Sequence, residues 1–204
     1  MSTQAMSSLT DCGLPGIREI PYGVHMCHFY EGREDLAAAL VPYFAAGLRS
    51  NERCIWITAE PLPAVEARRA LAEAGFDAGA AIDSGALTIL DFSDWYAHNE
   101  DLRGNQVIDL WLAQEERALA DGYSGLRITG NVTFLGPGDW PVFMEYEALI
   151  NPAFHGRRIV TLCTYSTRDC GAAEMLDVMH RHNCALDRPD EGWQILTRDQ
   201  TIKR

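Results

Sequence analysis

From Tyr22 to Tyr30 the side chains alternate as in a strand, and the run ends at Gly32, just before a helical spacing opens. Strand geometry puts His25, Cys27 and Phe29 on one face and Val24, Met26, His28 and Tyr30 on the other. Few charges interrupt the segment, so both faces are expected to meet protein, as in a central parallel strand. Leu36, Leu40, Val41, Phe44 and Leu48 then recur at helical spacing and predict a helix over about 34–49, bent by Pro42 and ended at Ser50-Asn51. Arg53 to Thr58 (RCIWIT) reads as a second strand. Pro61 and Pro63 open a second helix, which runs through Leu71 and stops at Gly75.

Further along, Leu87 to Phe92 reads as a strand, about 105–121 as a helix carrying Ile108 and Trp111, and Gly125 to Thr133 as containing a strand. Asp139 is positioned to cap a helix that buries Val142, Phe143, Tyr146 and Ile150 and ends at Asn151-Pro152. A strand over Arg157–Tyr165, a helix over about 170–181 capped by Asp169, and a last strand over Trp193–Thr197 complete the chain. Strands alternating with helices predict an α/β fold of three layers, a mostly parallel sheet with helices on both faces. In such folds ligands bind outside the carboxyl ends of the strands. Here those ends are 28–33, 58–61, 91–96, 130–135 and 165–170.

Residues 1–16 lack periodicity and read as a loose N-terminal tail, leaving 17–204 as a single domain. A chain of 204 residues can bury roughly 70% of its unfolded surface. Its 47% hydrophobic and 23% charged residues are ordinary for a globular protein. No apolar run reaches a bilayer span, and Met1–Thr10 lacks a signal-peptide pattern, so a cytoplasmic location without membrane contact is expected. A net charge of −12 without a Lys/Arg cluster argues against direct nucleic-acid binding. The six cysteines form no CxxC pair and read as free thiols.

The chemistry-bearing residues leave alternatives open. His25-x-Cys27-His28 carries zinc- or iron-type ligands, but a straight strand points His28 away from the other two, so a metal site would need a ligand from another strand, such as Cys163. The competing readings are histidines and a thiol packed in the core, or His28 and Tyr30 lining a pocket. His180-x-His182-x-Cys184 falls where a helix ends, where imidazoles bond the last carbonyls. Arg127 and Thr129 share a strand face. Arg127 is read as pairing with Glu147 or Glu145, either as a structural ion pair or as an anion site. Glu147 and Asn151, at i,i+4, share a helix face and brace helix to sheet or touch a ligand. Trp56 reads as core, whereas Trp95 and Trp140 follow strand ends and are suited to wall an apolar pocket. No GxSxG, HExxH or paired-carboxylate frame is present.

The runs YGVHMCHFY, LVPYFAAGLRSNERCIWIT, GLRITGN, YEALIN and LCTYS, in that order over roughly 20–190, resemble the methanogen/methylotroph sensory (MEDS) domain. The resemblance implies a RecA-like P-loop fold without a functional Walker A motif. It also implies sensing of small hydrocarbon-derived molecules, with occupancy passed to a transcription-regulatory protein, as in a dichloromethane-responsive repressor, or to a histidine kinase. Asn131 stands where the family pattern has an acidic residue, and Phe134 where it has Trp. The loop Phe29-Tyr30-Glu31-Gly32-Arg33-Glu34-Asp35 fits lost nucleotide chemistry. It has one Gly, no Lys and no Ser/Thr, and three carboxylates where phosphates would lie.

The leading expectation is a non-catalytic sensor. Its ligand residues are His25, Cys27, His28, Tyr30, Glu60, Trp95, Arg127, Thr129, Asn131, Trp140, Glu147 and Tyr165. Loops near 30–35, 93–105 and 131–140 would order on binding. The second expectation is a metal- or haem-dependent redox sensor using His25, Cys27, His28 or Cys163, with zinc or haem as the candidate cofactor, and the third is a divergent nucleotide hydrolase. By analogy with RecA-like and sensory domains, a homodimer is an expected assembly.

Overall fold

The computed structural model describes residues 8–99, 104–131, 138–189 and 192–197, without the side chains of 96–99 and 131. Phe134 and Gly136-Pro137 lie outside the described residues. Strands β3 (His25–Tyr30), β4 (Arg53–Thr58), β5 (Leu87–Asp91), β6 (Leu126–Asn131), β7 (Ile159–Ser166), β8 (Cys184–Asp187) and β9 (Gln194–Thr197) form one sheet in the order β5-β4-β6-β7-β3-β8-β9. Every pairing is parallel except β8 with β9, which is antiparallel at the edge. The His25–Tyr30 part of the alternating run is therefore a near-central strand, hydrogen-bonded to β7 on one side and β8 on the other, with Tyr22-Gly23 in a turn before it. That is why it has almost no charge.

Helices α1 (Arg33–Arg49), α2 (Ala64–Glu73) and α3 (Ala78–Asp83) cover one face, packing on Met26, Tyr30, Trp56, Ile89 and Leu162. Helices α5 (Asn105–Ala120), α6 (Trp140–Phe154) and α7 (Ala172–Arg181) cover the other, over Ile55, Ile57, Ile128, Cys27 and Cys163. A short α4 (Phe92–Asn99) follows β5 directly. The period-two alternation along β4 assigns Trp56 to the α1 face and Ile55 and Ile57 to the α5 face. Helix α1 continues through Pro42, and α6 runs three residues past Asn151, with Pro152 inside it. Helix α7 takes Gly171, not Asp169, at its N-cap.

Residues 8–16, expected in a loose tail, are packed. β1 (Leu9–Asp11) pairs antiparallel with β2 (Glu19–Pro21), and Cys12 and Leu14 are buried against the α1 core. The stretch carries too few apolar positions to show a period, yet its backbone and two side chains close the α1 face. No helix among the described residues is long and apolar enough to cross a membrane.

Gly47 of α1 makes a close approach possible. A Cβ there would lie 2.7 Å from Arg127 Cδ and 2.8 Å from Cys54 Sγ. Gly47→Ala is expected to destabilise by about 1–3 kcal/mol through overpacking. The urea midpoint reads this, and an unchanged midpoint would mean the helix moves freely off the sheet.

Candidate functional site

The β3–α1 connection is two residues long, Glu31-Gly32. Gly32 is extended at the N-cap, and the Glu31 N–H donates to the Asp35 carboxylate at 3.2 Å. A phosphate cradle needs a run of amides pointing at the anion. Here the turn is short and one of its amides is already taken by the protein's own carboxylate. Glu34 and Asp35 in the first turn of α1 add negative charge at the dipole's positive end.

On the α1 face, His28 donates Nδ1–H to the Leu186 carbonyl at 3.1 Å and packs tilted against Trp193, with Asp35 Oδ1 3.8 Å from its Nε2. Burial pushes its pKa down. Tyr30 is buried on the same face. Arg127 does not reach Glu145 or Glu147. Its partner is Glu52, both side chains being fully buried, because odd positions of β6 face α1 while Glu147 lies on α6. The Arg127 guanidinium also donates to the carbonyls of Tyr43 (2.9 Å) and Asp11 (2.7 Å) and stacks over the Tyr43 ring. Thr10 and Tyr22 hydroxyls donate to the same Glu52 carboxylate at 2.6 and 2.7 Å. Thr129 donates to the Leu162 carbonyl at 2.8 Å. These groups have protein partners and brace the N-terminal hairpin to the sheet.

The opposite face holds the densest group of reactive side chains. His25 from β3, Cys163 from β7, Glu147 from α6 and His182 just after α7 present ligand atoms within 4.8 Å of one another, all buried. His25 Nε2 lies 3.2 Å from Glu147 Oε2 and 3.4 Å from Cys163 Sγ, and His182 Nε2 lies 3.3 Å from the same carboxylate oxygen. The two imidazole rings lie against each other, with centroids 3.8 Å apart and planes tilted by 34°. The Tyr165 hydroxyl sits 3.4 Å from His182 Nε2.

Outer partners determine the tautomers. Asn151 donates its amide N–H to the Arg181 carbonyl at 2.6 Å, so its oxygen faces His25 Nδ1 at 3.2 Å and accepts from it. His182 Nδ1 faces the Val178 carbonyl at 2.8 Å, which only accepts. Both rings therefore carry the proton on Nδ1, and when neutral they aim Nε2 lone pairs inward. Burial holds His25 neutral, with its pKa lowered to about 3, against the opposing hydrogen bond from Asn151. Burial also raises the Glu147 carboxyl to about 7, opposed by His182 and the Tyr165 hydroxyl. Desolvation pushes the Cys163 thiol well up. Glu147 Oε2 accepts no hydrogen bond from either imidazole, since the two nitrogens nearest it are bare when the rings are neutral.

With this geometry in view, similarity to known proteins can be placed on it. The family described as "MEthanogen/methylotroph, DcmR Sensory domain" (MEDS) matches residues 24–183. The chain belongs to the MEDS family. It is a sensory domain in that general sense, and all four cluster residues fall inside the matched range. Among solved structures, a KaiC-like protein, PH0186 from Pyrococcus horikoshii OT3, superposes with a TM-score of 0.60 at 15% identity, over 95% of this chain and 90% of that one. The flagellar accessory protein FlaH from Methanocaldococcus jannaschii superposes with a TM-score of 0.58 at 13% identity, over 87% and 80%. At such identities the likeness is one of fold, and it makes the MEDS sheet RecA-like. No curated protein matches the chain.

The remaining expected site residues of this MEDS domain are dispersed. Cys27 is on the cluster's face, but its Sγ contacts the Cys184 carbonyl at 3.7 Å. Glu60 is exposed in the β4–α2 turn. Trp95 stacks on Trp111 of α5 at 5.9 Å. Trp140 lies half-buried beside Phe143, its Nε1 3.5 Å from Asp177. Asn131 ends β6, and its side chain is outside the described residues. Phe29, Trp140, Phe143 and Met175 are partly covered and pack on the Cys27–Cys163–Tyr165 core. His182 enters the cluster unexpectedly. Its Nδ1 does bond a helix-end carbonyl, as the sequence suggests, but its other nitrogen turns inward.

Proposed function

We propose that this MEDS domain is a non-catalytic sensor for a small, largely apolar molecule and passes occupancy to a separate regulatory protein, a transcription regulator or a histidine kinase. The observation that carries this reading is the Glu31-Gly32 turn. It is too short to wrap a triphosphate and is capped by the domain's own Asp35. Support for an apolar guest comes from Phe29, Trp140 and Phe143, which leave a half-covered aromatic wall near the carboxyl ends of β3 and β7. Binding there would favour one arrangement of α6 and α7 and so change the surface offered to the partner.

Thermal-shift and calorimetric titration with short alcohols, ketones and halogenated hydrocarbons tests this. At least one class is expected to raise the melting temperature, and Trp140→Ala is expected to weaken that response about tenfold or more, the loss of a buried aromatic contact being worth on the order of 1–3 kcal/mol. Tight binding of ATP with magnesium, and no response to any of the apolar compounds, would reject it.

A further inference from the structure

We propose that His25, Glu147, Cys163 and His182 form a four-coordinate site for one divalent first-row transition ion, zinc or ferrous iron. The proposal goes beyond the small-molecule reading and does not depend on it.

Three independent features converge. The first is spacing. Tetrahedral bonds of about 2.0–2.3 Å place neighbouring ligand atoms about 3.3–3.8 Å apart. Three of the pairs here are 3.2, 3.3 and 3.4 Å apart, and all four atoms lie within 4.8 Å. The second is orientation. Each imidazole donates its outer N–H to an oxygen, from Asn151 or Val178. That outer hydrogen bond fixes the tautomer of a metal-binding histidine and aims its other nitrogen at the ion. The third is an unmet need. A fully buried carboxylate oxygen, Glu147 Oε2, sits between two imidazole nitrogens that give it no proton. Such an arrangement costs free energy unless a cation or a proton fills it.

The donor set of two imidazoles, one carboxylate and one thiolate suits zinc or ferrous iron better than magnesium or calcium, which favour oxygen alone. Binding would replace the Cys163 thiol proton, and the Glu147 proton where the carboxyl carries one, with the ion. The protons leave to solvent. Four protein ligands leave no open position, so the ion ties β3, β7, α6 and the α7–β8 turn together rather than activating water. His25 is further pinned to that turn, because its backbone N–H and carbonyl both bond Asn183, at 2.8 Å each. Cys27 and His28, which stand beside His25 in the sequence, are not ligands. His28 is on the other face and Cys27 points to the Cys184 carbonyl.

The test uses the full chain, stripped with a chelator and titrated with Co²⁺. One ion per chain is expected, with the intense visible bands of tetrahedral cobalt and a thiolate charge-transfer band in the near ultraviolet. Cys163→Ser should abolish the charge-transfer band, while Cys54→Ser, on the α1 face, should leave it unchanged. Asn151→Ala should lower affinity about 10–100-fold while keeping the band, as expected for an outer partner. X-ray absorption of the wild-type protein loaded with Zn²⁺ or Fe²⁺ needs no variant and should show one sulfur among nitrogen and oxygen ligands. Competition between the two ions, with elemental analysis of the protein as purified, distinguishes them. Folded wild-type protein that takes up none of these ions stoichiometrically, a cobalt band that survives Cys163→Ser, or a first shell without sulfur would overturn the site.

Discussion

Arg127→Met is expected to destabilise the domain by about 3–5 kcal/mol, the range for removing one partner of a buried ion pair. Glu52 would remain fully buried as an uncompensated carboxylate, its guanidinium partner gone. The carbonyls of Asp11 and Tyr43 would lose their donors as well. Domains of this kind are stable by about 5–15 kcal/mol in total, so the change takes a large fraction of what holds the fold. The urea midpoint should fall accordingly, and the N-terminal hairpin should gain susceptibility to proteolysis first, because Thr10 and Asp11 are tied to this pair. Adding Glu52→Gln to Arg127→Met should recover part of the loss, since the stranded charge is then removed. A loss below about 1 kcal/mol in the single variant would show that the pair is solvated or rearranges, against the general behaviour of buried charges.

Trp56→Ala is expected to cost about 3–5 kcal/mol, the usual range for deleting a buried aromatic. Trp56 is 1% exposed in β4, and its ring stacks on Phe44 of α1 with centroids 4.7 Å apart and planes 13° from parallel. The position is central to the α1 face, so the surrounding strands and helix cannot collapse into the space left. Trp56→Phe should recover more than half of the loss. Calorimetric or urea unfolding measures both variants. Equal losses for Ala and Phe would mean that the site needs the indole shape itself rather than buried area.

Much of the layer structure was legible in the sequence because the sheet is parallel and covered twice. Strands such as RCIWIT are apolar on both faces, and the helices between them show one apolar stripe each. The hairpin at β1 and β2, the short helices α3 and α4, and β8 were not legible. The three or four residues of β1, β2 and β8 are too few to display a period, the six and eight residues of α3 and α4 make only about two turns each, and β8 follows α7 with only two residues between them. The partner of Arg127 is not legible for a different reason. The strand's parity follows from the sequence, but which helix covers that face is decided by the crossovers, and Glu52, the true partner, sits in the α1–β4 turn.

The amino-acid order alone settles that His25 and Cys27 share a strand face opposite His28, because side chains two apart in a strand point the same way whatever lies around them. It also settles that the β3–α1 turn lacks the lysine and hydroxyl of a phosphate loop. It does not say that His25 meets Cys163, Glu147 and His182, which lie 138, 122 and 157 residues further along. Parallel pairing of β3 with β7, and the laying of α6 and the end of α7 over that pair, bring the four together. No local rule encodes such a meeting, since the free energy that drives it comes from burying whole faces of sheet and helix rather than from the four residues themselves.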